Sequence, residues 1–392
     1  MIPDFLIAII FYSILIILFY INRNKLQVME KVFYVFKTKK GLNFLKKISK
    51  FKFIKILSTI SIFIAVYFMI QICIFLFQSL YTILTVPKPQ PTITLAIPGI
   101  KIPGSPIYIP FIEGIISIFI LIIVHEISHA IVALNEKIKV KSLGFGLFIF
   151  LPIAFTEVDE RQMLKESRIK RLRVASIGSI ANISLAFLLI YLTSVFLSPI
   201  TTNLVHLDGV KIISVEKNSP AFNASLKENM VIKRINDFEI NNITEFVQFM
   251  NQSNPGEIVA VQTENGTFYI KLSEKQNKAY MGVTVTQNWE YKKEAVMKYG
   301  KTLLNLFFKI LNVITWTINL NLSVGMVNLI PIWIADGGRI VYDIFNIFIK
   351  EKKTLQLVIN AIFSIFTMVL ILNIITPYIY YLYEQLALSY FR

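Results

Sequence analysis

The chain has 392 residues, of which 55% are hydrophobic, and a formal net charge of +16 at pH 7. Its mean hydropathy of +0.62 is too high for an ordinary soluble domain. The positive charge could indicate nucleic acid, but eleven Lys and Arg residues lie in residues 23–55 beside a single acid, Glu30. Such a basic segment between apolar stretches orients a membrane protein and contacts anionic lipid. We therefore expect the lipid bilayer as a partner and no nucleic acid.

Apolar stretches long enough to cross a bilayer recur along the chain. Each is close to the roughly 20 residues that span the hydrocarbon as a helix. They lie at residues 3–22, 56–78, 111–134, 174–198, 302–327 and 355–375. The predicted fold class is a polytopic α-helical membrane protein with about six transmembrane helices and an inserted α+β domain. The first stretch has no preceding basic region and no small-residue cleavage site, which favours a retained helix over a signal peptide.

The charge of the loops predicts the orientation of these helices. The basic segment 23–55 should be cytoplasmic, which puts the N-terminus outside. Alternation then places residues 79–110 and 199–301 outside, together with the C-terminus. Residues 79–110 contain seven of the fourteen prolines and a strand-like apolar alternation at 93–97. This segment is expected to be an external loop without helix, either stiff or dipping into the interface.

The stretch at 111–134 contains the sequence His-Glu-Ile-Ser-His. On a helix, His125 and His129 are four residues apart, so both rings project from one face and can bind one metal ion. Glu126 follows His125, where it can take a proton from a water on that metal. This motif also arises by chance on helix surfaces, but an apolar helix has no solvated face for it. Because ionisable groups are costly in hydrocarbon, three within five residues favour a metal site.

A catalytic zinc site needs a third protein ligand and leaves one position for water. The best candidate is Asp336, in the sequence NLIPIWIADGG at 328–338. Pro331 and the two glycines after Asp336 break the helix there, which can turn the carboxylate inward. The alternative is that Asp336 caps a helix that starts at Gly337. The remaining histidine, His206, begins a soluble-type segment and is expected to be too distant.

Two further segments are not membrane helices. Residues 140–160 are apolar but rich in Gly and aromatic residues, with Pro152 in the middle, which favours a two-stranded loop. Such a loop must pair its backbone with protein, so it is either a sheet edge that accepts a substrate strand or a packing element.

Residues 205–287 predict a soluble α+β module. Strands are expected at 210–215, 257–264 and 267–272, with a hairpin at Asn265-Gly266 and helices near 220–226 and 243–251. Four Asn-x-Ser/Thr sequons agree with an external face, although a polar segment produces such triplets easily. They are at Asn223, Asn242, Asn251 and Asn265.

In this order along the chain, these motifs resemble the site-2 protease family of intramembrane zinc metalloproteases, over about residues 93–350. The HEISH and NLIPIWIADGG segments match the first and second family motifs, and FLPIAFTEVDE resembles the loop after the zinc helix. Residues 178–182 match the Gly-Pro-x-x-Asn of the next helix, and 209–237 resemble the opening of a PDZ domain. The chain departs from the family pattern at Ser179 (usually Pro), at Ala335 (usually Leu) and in Ala224-Ser225-Leu226, where Ala-Gly-Leu is common.

The resemblance implies a zinc metalloendopeptidase. One Zn²⁺ per chain would be held by His125, His129 and Asp336, with Glu126 as general base. Asn182 would hold the substrate backbone or the oxyanion; its alternative role is an interhelical hydrogen bond. The enzyme would cleave transmembrane protein substrates within or near their membrane segments, as in regulated intramembrane proteolysis, after strand addition to the 140–158 loop. A peptide or substrate tail would bind the PDZ-like domain.

The expected domains are residues 1–110 (two helices with a basic and a Pro-rich loop), 111–200 (the HExxH helix, the β-loop and the next helix), 201–290 (the PDZ-like domain) and 291–392 (the C-terminal membrane region with the Asp-Gly motif). The expected location is the cell membrane, with the zinc site toward the cytoplasm and the PDZ-like domain outside. The alternative functions are an intramembrane metal transporter or channel, and an inactive relative that binds membrane partners.

Overall fold

The computed structural model describes residues 3–21, 27–29, 33–86, 91–94, 97–103, 105, 107–148, 151–275 and 277–390. It divides into two compact units. The first comprises Met1–Tyr191 and Phe308–Arg392, and the second comprises Leu192–Phe307.

The first half of the chain forms six helices and four strands. In chain order they are α1 Asp4–Ile21, β1 Gln27–Met29, β2 Phe33–Thr38, α2 Leu42–Ile48, α3 Phe53–Thr85, α4 Phe111–Asn135, β3 Val140–Phe148, β4 Leu151–Val158, α5 Glu160–Lys165 and α6 Arg168–Leu192. A π-helical turn, Thr193–Leu197, continues α6 into α7, Ser198–Leu204. The last three helices are α10 Lys293–Val327, α11 Asp336–Phe348 and α12 Lys352–Tyr390.

The expected membrane class is confirmed. Within the described residues, five helices are long and apolar enough to span a membrane: α3, α4, the continuous Arg168–Leu204 helix, α10 and α12. The first expected stretch corresponds to α1, a shorter apolar helix. The chain is therefore an integral membrane protein with a polytopic α-helical fold and an inserted α+β module.

The Pro-rich segment begins later than its expected bounds. Helix α3 continues to Thr85, so residues 79–85 are helical, because no proline interrupts the chain before position 87. Of the alternating run 93–97, residues 95 and 96 lie outside the described part. Ile97 makes only an isolated bridge to Ile100.

The two strands that follow the motif helix, β3 and β4, belong to a four-stranded antiparallel sheet of order β1-β2-β3-β4. Strands β3 and β4 are the expected two-stranded loop. The sequence analysis missed β1 and β2, which come from the basic segment 23–55. Strand β2 pairs along β3 from Phe33↔Phe148 to Thr38↔Leu143. The outer edge of β3 is therefore covered by the chain itself, and β4 is the edge strand on the other side.

The core of the first unit is formed where α3, α6, α11 and α12 meet. Its fully or nearly buried members include Leu76, Ile183, Leu329, Ile340 and Ile359. The two serine hydroxyls of Ser61 and Ser176 hydrogen-bond across α3 and α6 over 2.7 Å. Small and apolar side chains thus let α6 lie close to its neighbours, which matters because α6 contacts all three candidate ligands.

The second unit contains the inserted module. Its elements are β5 Val205–Val215, α8 Pro220–Asn223, β6 Val231–Ile235, β7 Phe238–Glu239, α9 Ile243–Gln252, β8 Ile258–Thr263, β9 Gly266–Lys271, β10 Ser273–Lys275, β11 Lys278–Tyr280 and β12 Val283–Tyr291. The main sheet has the order β12-β5-β6-β8-β9, and β7 pairs with β6.

The expected module strands, the hairpin at Asn265-Gly266 and helix α9 are all present. Helix α9 begins with a capping box between Asn242 and Glu245. The helix expected near 220–226 ends earlier, at Asn223, because Ser225 has a φ of 65° that a helix cannot accommodate.

Candidate metal centre

Two helices bring three candidate ligands together. His125 and His129 lie on successive turns of α4, and Asp336 is the first residue of α11. The Nε2 atoms of the two histidines are 3.2 Å apart. Oδ2 of Asp336 lies 3.4 Å from Nε2 of His125 and 3.3 Å from Nε2 of His129. Among the residues that the structure describes, these three form a group of side chains that could hold a metal ion.

The break between α10 and α11 aims the Asp336 carboxylate at the histidines. Helix α11 is preceded by Ala335 in an extended conformation, and no side chain caps it. The alternative of Asp336 as a helix cap therefore does not hold. A Cβ atom on Gly337 would lie 2.2 Å from the carbonyl oxygen of Leu329. Only glycine lets the 328–335 loop pack so closely on the first turn of α11.

The hydrogen bond of the His129 ring directs its Nε2 lone pair inward. Nδ1 of His129 donates to the carbonyl oxygen of Val174 over 2.7 Å, which leaves Nε2 as the free acceptor. Nδ1 of His125 lies 3.3 Å from the amide nitrogen of Asn182. Asn182 is fully buried, and within the described residues its Oδ1 has no partner. The structure thus places Asn182 of α6 in contact with the candidate ligand His125 of α4.

The donor set fits zinc. Ligands about 2.0–2.1 Å from a tetrahedral ion are separated from each other by about 3.3–3.4 Å. The three observed separations, 3.2, 3.4 and 3.3 Å, match that spacing. Two imidazole nitrogens and a carboxylate oxygen that face one another also offer three ligand atoms to one cation. Two imidazoles and one carboxylate are a ligand set of catalytic zinc sites, which keep one position open.

Helix α6 supplies the other contacts of the centre. The hydroxyl of Ser179 donates to Oδ2 of Asp336 over 3.1 Å. Gly178 lies against His129, since a Cβ atom there would be 2.3 Å from Nε2 of the ring. The sequence analysis missed the roles of Val174 and Ser179. A backbone carbonyl gives no side-chain signal, and Ser179 was noted only as a departure from a family motif.

Strand β4 packs against the candidate base. The Thr156 hydroxyl donates to the carbonyl oxygen of Glu126 over 2.7 Å. The Thr156 backbone N–H also faces the Glu126 carboxylate. Glu126 is half-buried and lies one residue from His125 on α4. The carboxylate is thus next to both the ligand group and the β4 edge.

Pro152 determines which backbone groups of β4 point to the free edge. It pairs with Leu147 of β3, and because proline has no N–H this cannot be a hydrogen-bonded pair. Alternation then makes Ala154 and Thr156 non-hydrogen-bonded with β3 as well, so their N–H and C=O groups point away from it. Within the described residues, β4 has no strand on that side. Both groups of Ala154 and the C=O group of Thr156 can pair with an added strand, whereas the Thr156 N–H faces Glu126.

A cleft of about 760 Å³ extends from this edge. Its walls come from β4, α5, α6, α11 and α12, and Trp333 and Tyr342 contribute aromatic surface. At its rim, Lys37 lies 3.1 Å from Glu157. The hydrogen bond from the Ser142 hydroxyl holds the pKa of the Glu157 carboxyl below its usual value, and Lys37 lowers it further. Apolar and aromatic side chains therefore line the cleft together with charged ones, among them Arg171 and Asp343.

His206 is not one of the three grouped residues. It lies in β5 of the second unit, opposite Glu290 of β12, and is exposed.

Known proteins are similar to this chain over most of its length. Residues 113–372 match Peptidase family M50. A relative from Methanocaldococcus jannaschii, the uncharacterized protein MJ0971, is 30% identical over 352 residues, which cover 88% of this chain and 87% of the relative.

Two solved structures are also similar. The PDZ domain of an SdrC-like protein from Listeria monocytogenes is 25% identical, with a TM-score of 0.19, and covers 20% of this chain and 88% of that domain. The PDZ domain of an SdrC-like protein from Listeria innocua is 22% identical, with a TM-score of 0.19, and covers 21% of this chain and 97% of that domain.

The family match over residues 113–372 includes both segments that carry the three grouped residues. The chain therefore belongs to Peptidase family M50, the site-2 protease family.

Proposed function

We propose that the protein is an intramembrane zinc metalloprotease that cleaves transmembrane proteins. The observation that carries the proposal is the convergence of three ligand atoms within 3.4 Å, beside a carboxylate and a free strand edge. His125, His129 and Asp336 would hold one zinc ion per chain. Zinc, when bound there, polarises the scissile carbonyl and makes a water molecule more acidic.

Glu126 is the proposed general base. Its carboxylate takes a proton from the attacking water and later returns it to the leaving amine. The adjacent position on α4 keeps this carboxylate beside the ligands. The contact of Thr156 with the Glu126 backbone supports the proposal, because it holds β4 and the base together.

Asn182 is proposed to act on both a ligand and the substrate. A histidine that binds metal through Nε2 carries a proton on Nδ1 and needs an acceptor there. Rotating the Asn182 amide by 180° puts Oδ1 at that position and moves the NH₂ group to where the unpartnered Oδ1 now lies. The NH₂ group could then donate to the substrate carbonyl as negative charge develops on it.

The substrate would bind as an extended strand along β4. Peptide bonds in a helix are hydrogen-bonded internally, so a transmembrane helix must unwind locally before cleavage. The outward N–H and C=O groups of Ala154 and the outward C=O group of Thr156 would replace the lost helical hydrogen bonds. The substrate class proposed is therefore transmembrane segments that unwind easily.

We further propose that the zinc site lies toward the cytoplasm and that the inserted module lies outside. In α4, 14 residues precede His125, or about 21 Å at 1.5 Å per residue, and only nine residues, 126–134, follow it before Asn135. The basic segment 23–55 supports a cytoplasmic end for the neighbouring helices. The module would bind a peptide or substrate tail along β12, an edge strand of its sheet.

The experiment is cleavage of a reporter transmembrane substrate by the purified protein in liposomes. Cleavage should stop with a zinc chelator and return with added Zn²⁺. If the zinc-loaded protein leaves every tested substrate intact but moves Zn²⁺ across the liposome membrane, the protease proposal is rejected in favour of a metal transporter.

A further inference from the structure

Helix α6 touches each of the three candidate ligands. The Val174 carbonyl accepts from His129, the Ser179 hydroxyl donates to Asp336, and the Asn182 amide meets His125. These polar contacts lie at the ligands themselves. A further contact along each ligand helix would restrict its tilt and rotation relative to α6.

Arg171 provides such a further contact between α6 and α11. Its Nε donates to Oδ1 and Oδ2 of Asp343 at 2.9 and 3.0 Å, and its Nη2 also contacts Oδ1. The two side chains are 14% and 6% exposed. Asp343 comes seven residues after Asp336, which is about two helical turns. Arg171 is itself held by the carbonyl oxygen of Glu166 at 2.9 Å.

Arg173 provides the corresponding contact between α6 and the end of α4. Its Nη1 donates to Oε1 of Glu136 over 2.7 Å, and the side chains are 12% and 4% exposed. Its Nε donates to the Thr59 hydroxyl of α3 over 3.0 Å. Glu136 is the first residue after α4 and comes seven residues after His129. The spacing from ligand to ion pair is therefore the same on both helices.

We infer that Arg171 and Arg173 are positioning residues that set the register of the two ligand-bearing helices against α6. The inference rests on the proposed metal site. Each ligand helix is held by α6 at the ligand and again two turns later. Metal sites tolerate displacements of only about 0.5 Å in their ligands. Arg171 acts on Asp336 alone, and Arg173 acts on the histidine pair.

Single substitutions would leave a buried charge without its partner and could prevent folding. The test therefore replaces whole pairs with apolar residues: Arg171→Met with Asp343→Leu, and Arg173→Met with Glu136→Leu. The matched control is Lys170→Met with Glu166→Leu. That pair also has a 2.7 Å contact at the start of α6, but it joins no ligand helix.

Zinc affinity of the purified full chain is measured by competition with a chelator, and thermal unfolding checks the fold. Both arginine-pair variants should bind zinc about 10- to 100-fold more weakly, the range seen when outer contacts of a metal site are removed. The control should bind like the wild type. Folded arginine-pair variants with wild-type affinity would overturn the inference.

A second set of variants distinguishes the positioning of one particular ligand from a general effect on the stability of the site. In an Asp336→Ala background, where the weaker affinity is measured by titration with added Zn²⁺, removing the Arg171 pair should cost no further affinity, whereas removing the Arg173 pair still should. Equal further losses from both pairs would reject the assignment of one arginine to each ligand helix. The zinc measurement needs no substrate, so the losses would support the inference even in a protein that cleaves nothing, a result that would reject only the proposed protease function.

Discussion

The hydroxyl of Ser179 donates a hydrogen bond to Oδ2 of Asp336, the same oxygen that faces both histidines. Such a contact orients the carboxylate and leaves its negative charge directed at the metal position. Ser179 stands where the family motif usually has proline, which has no hydroxyl to offer. In this chain the departure therefore adds a contact to the candidate ligand.

Ser179→Ala should lower zinc affinity by about 10-fold, because removing an outer contact of a metal ligand typically costs that much. Competition with a chelator measures the affinity. Ser176→Ala is the control: it removes a buried hydroxyl from the same helix, but one that pairs with Ser61. Equal affinities in the two variants would mean that the Ser179 contact does not orient the ligand.

Glu126→Gln should retain zinc and the fold but lower cleavage by at least about 100-fold, because it preserves the side-chain shape and removes the base. Cleavage of the reporter substrate and metal analysis are measured on the same preparation. Glu113→Gln, at the first turn of the same helix, should cleave like the wild type. Near-wild-type cleavage by the Glu126 variant would contradict the proposed mechanism.

Asp336→Ala and His125→Ala should each lose zinc, because two remaining ligands bind the ion too weakly to survive purification. His206→Ala should keep it, since His206 is not among the grouped residues. Metal content per chain is measured by elemental analysis. Full occupancy in the Asp336 variant would reject this ligand and make His206 a candidate again.

Ala154→Pro should weaken substrate binding without disturbing the sheet. The substitution removes an N–H that points away from β3, at a position equivalent to that of Pro152. Loss of one backbone hydrogen bond, worth about 0.5–1.5 kcal/mol, should raise KM about two- to tenfold. Phe155→Pro, by contrast, removes an inward N–H and should destabilise the protein. An unchanged KM for the Ala154 variant would exclude strand addition at this edge.

The proposed orientation predicts the outcome of labelling with an impermeant thiol reagent on intact cells. Single cysteines are placed at Ser253 of the module and Lys40 of the basic segment, in a Cys73→Ser background. Ser253→Cys should label and Lys40→Cys should not. The reverse pattern would invert the orientation and put the module in the cytoplasm.

The sequence was sufficient to predict the parts whose signals are local. Apolar length identified the membrane helices, and the four-residue spacing of His125 and His129 identified the motif. Pro331 and the Gly337-Gly338 pair marked the helix break that positions Asp336. Each of these signals lies within a dozen residues of the element that it predicts.

The parts that were missed depend on distant partners. Strand β2 has a β-type sequence, FYVFKT, but it is six residues long, and its partner β3 lies more than 100 residues later. The Val174 carbonyl contacts His129 only because α6 packs beside α4. The ion pairs of Arg171 and Arg173 likewise join helices that are adjacent in space and separate in sequence.

The pairing of β2 with β3 also sets an order of events during synthesis. Thr38 and Leu143 are about 105 residues apart, and at roughly 5–20 residues per second the ribosome needs about 5–20 s to make that length. During this interval β1 is the only partner strand that β2 can have within the described sheet, while α3 and α4 are completed. The four-stranded sheet therefore assembles only after the motif helix exists, and the strand pair made first joins strands that are synthesised much later.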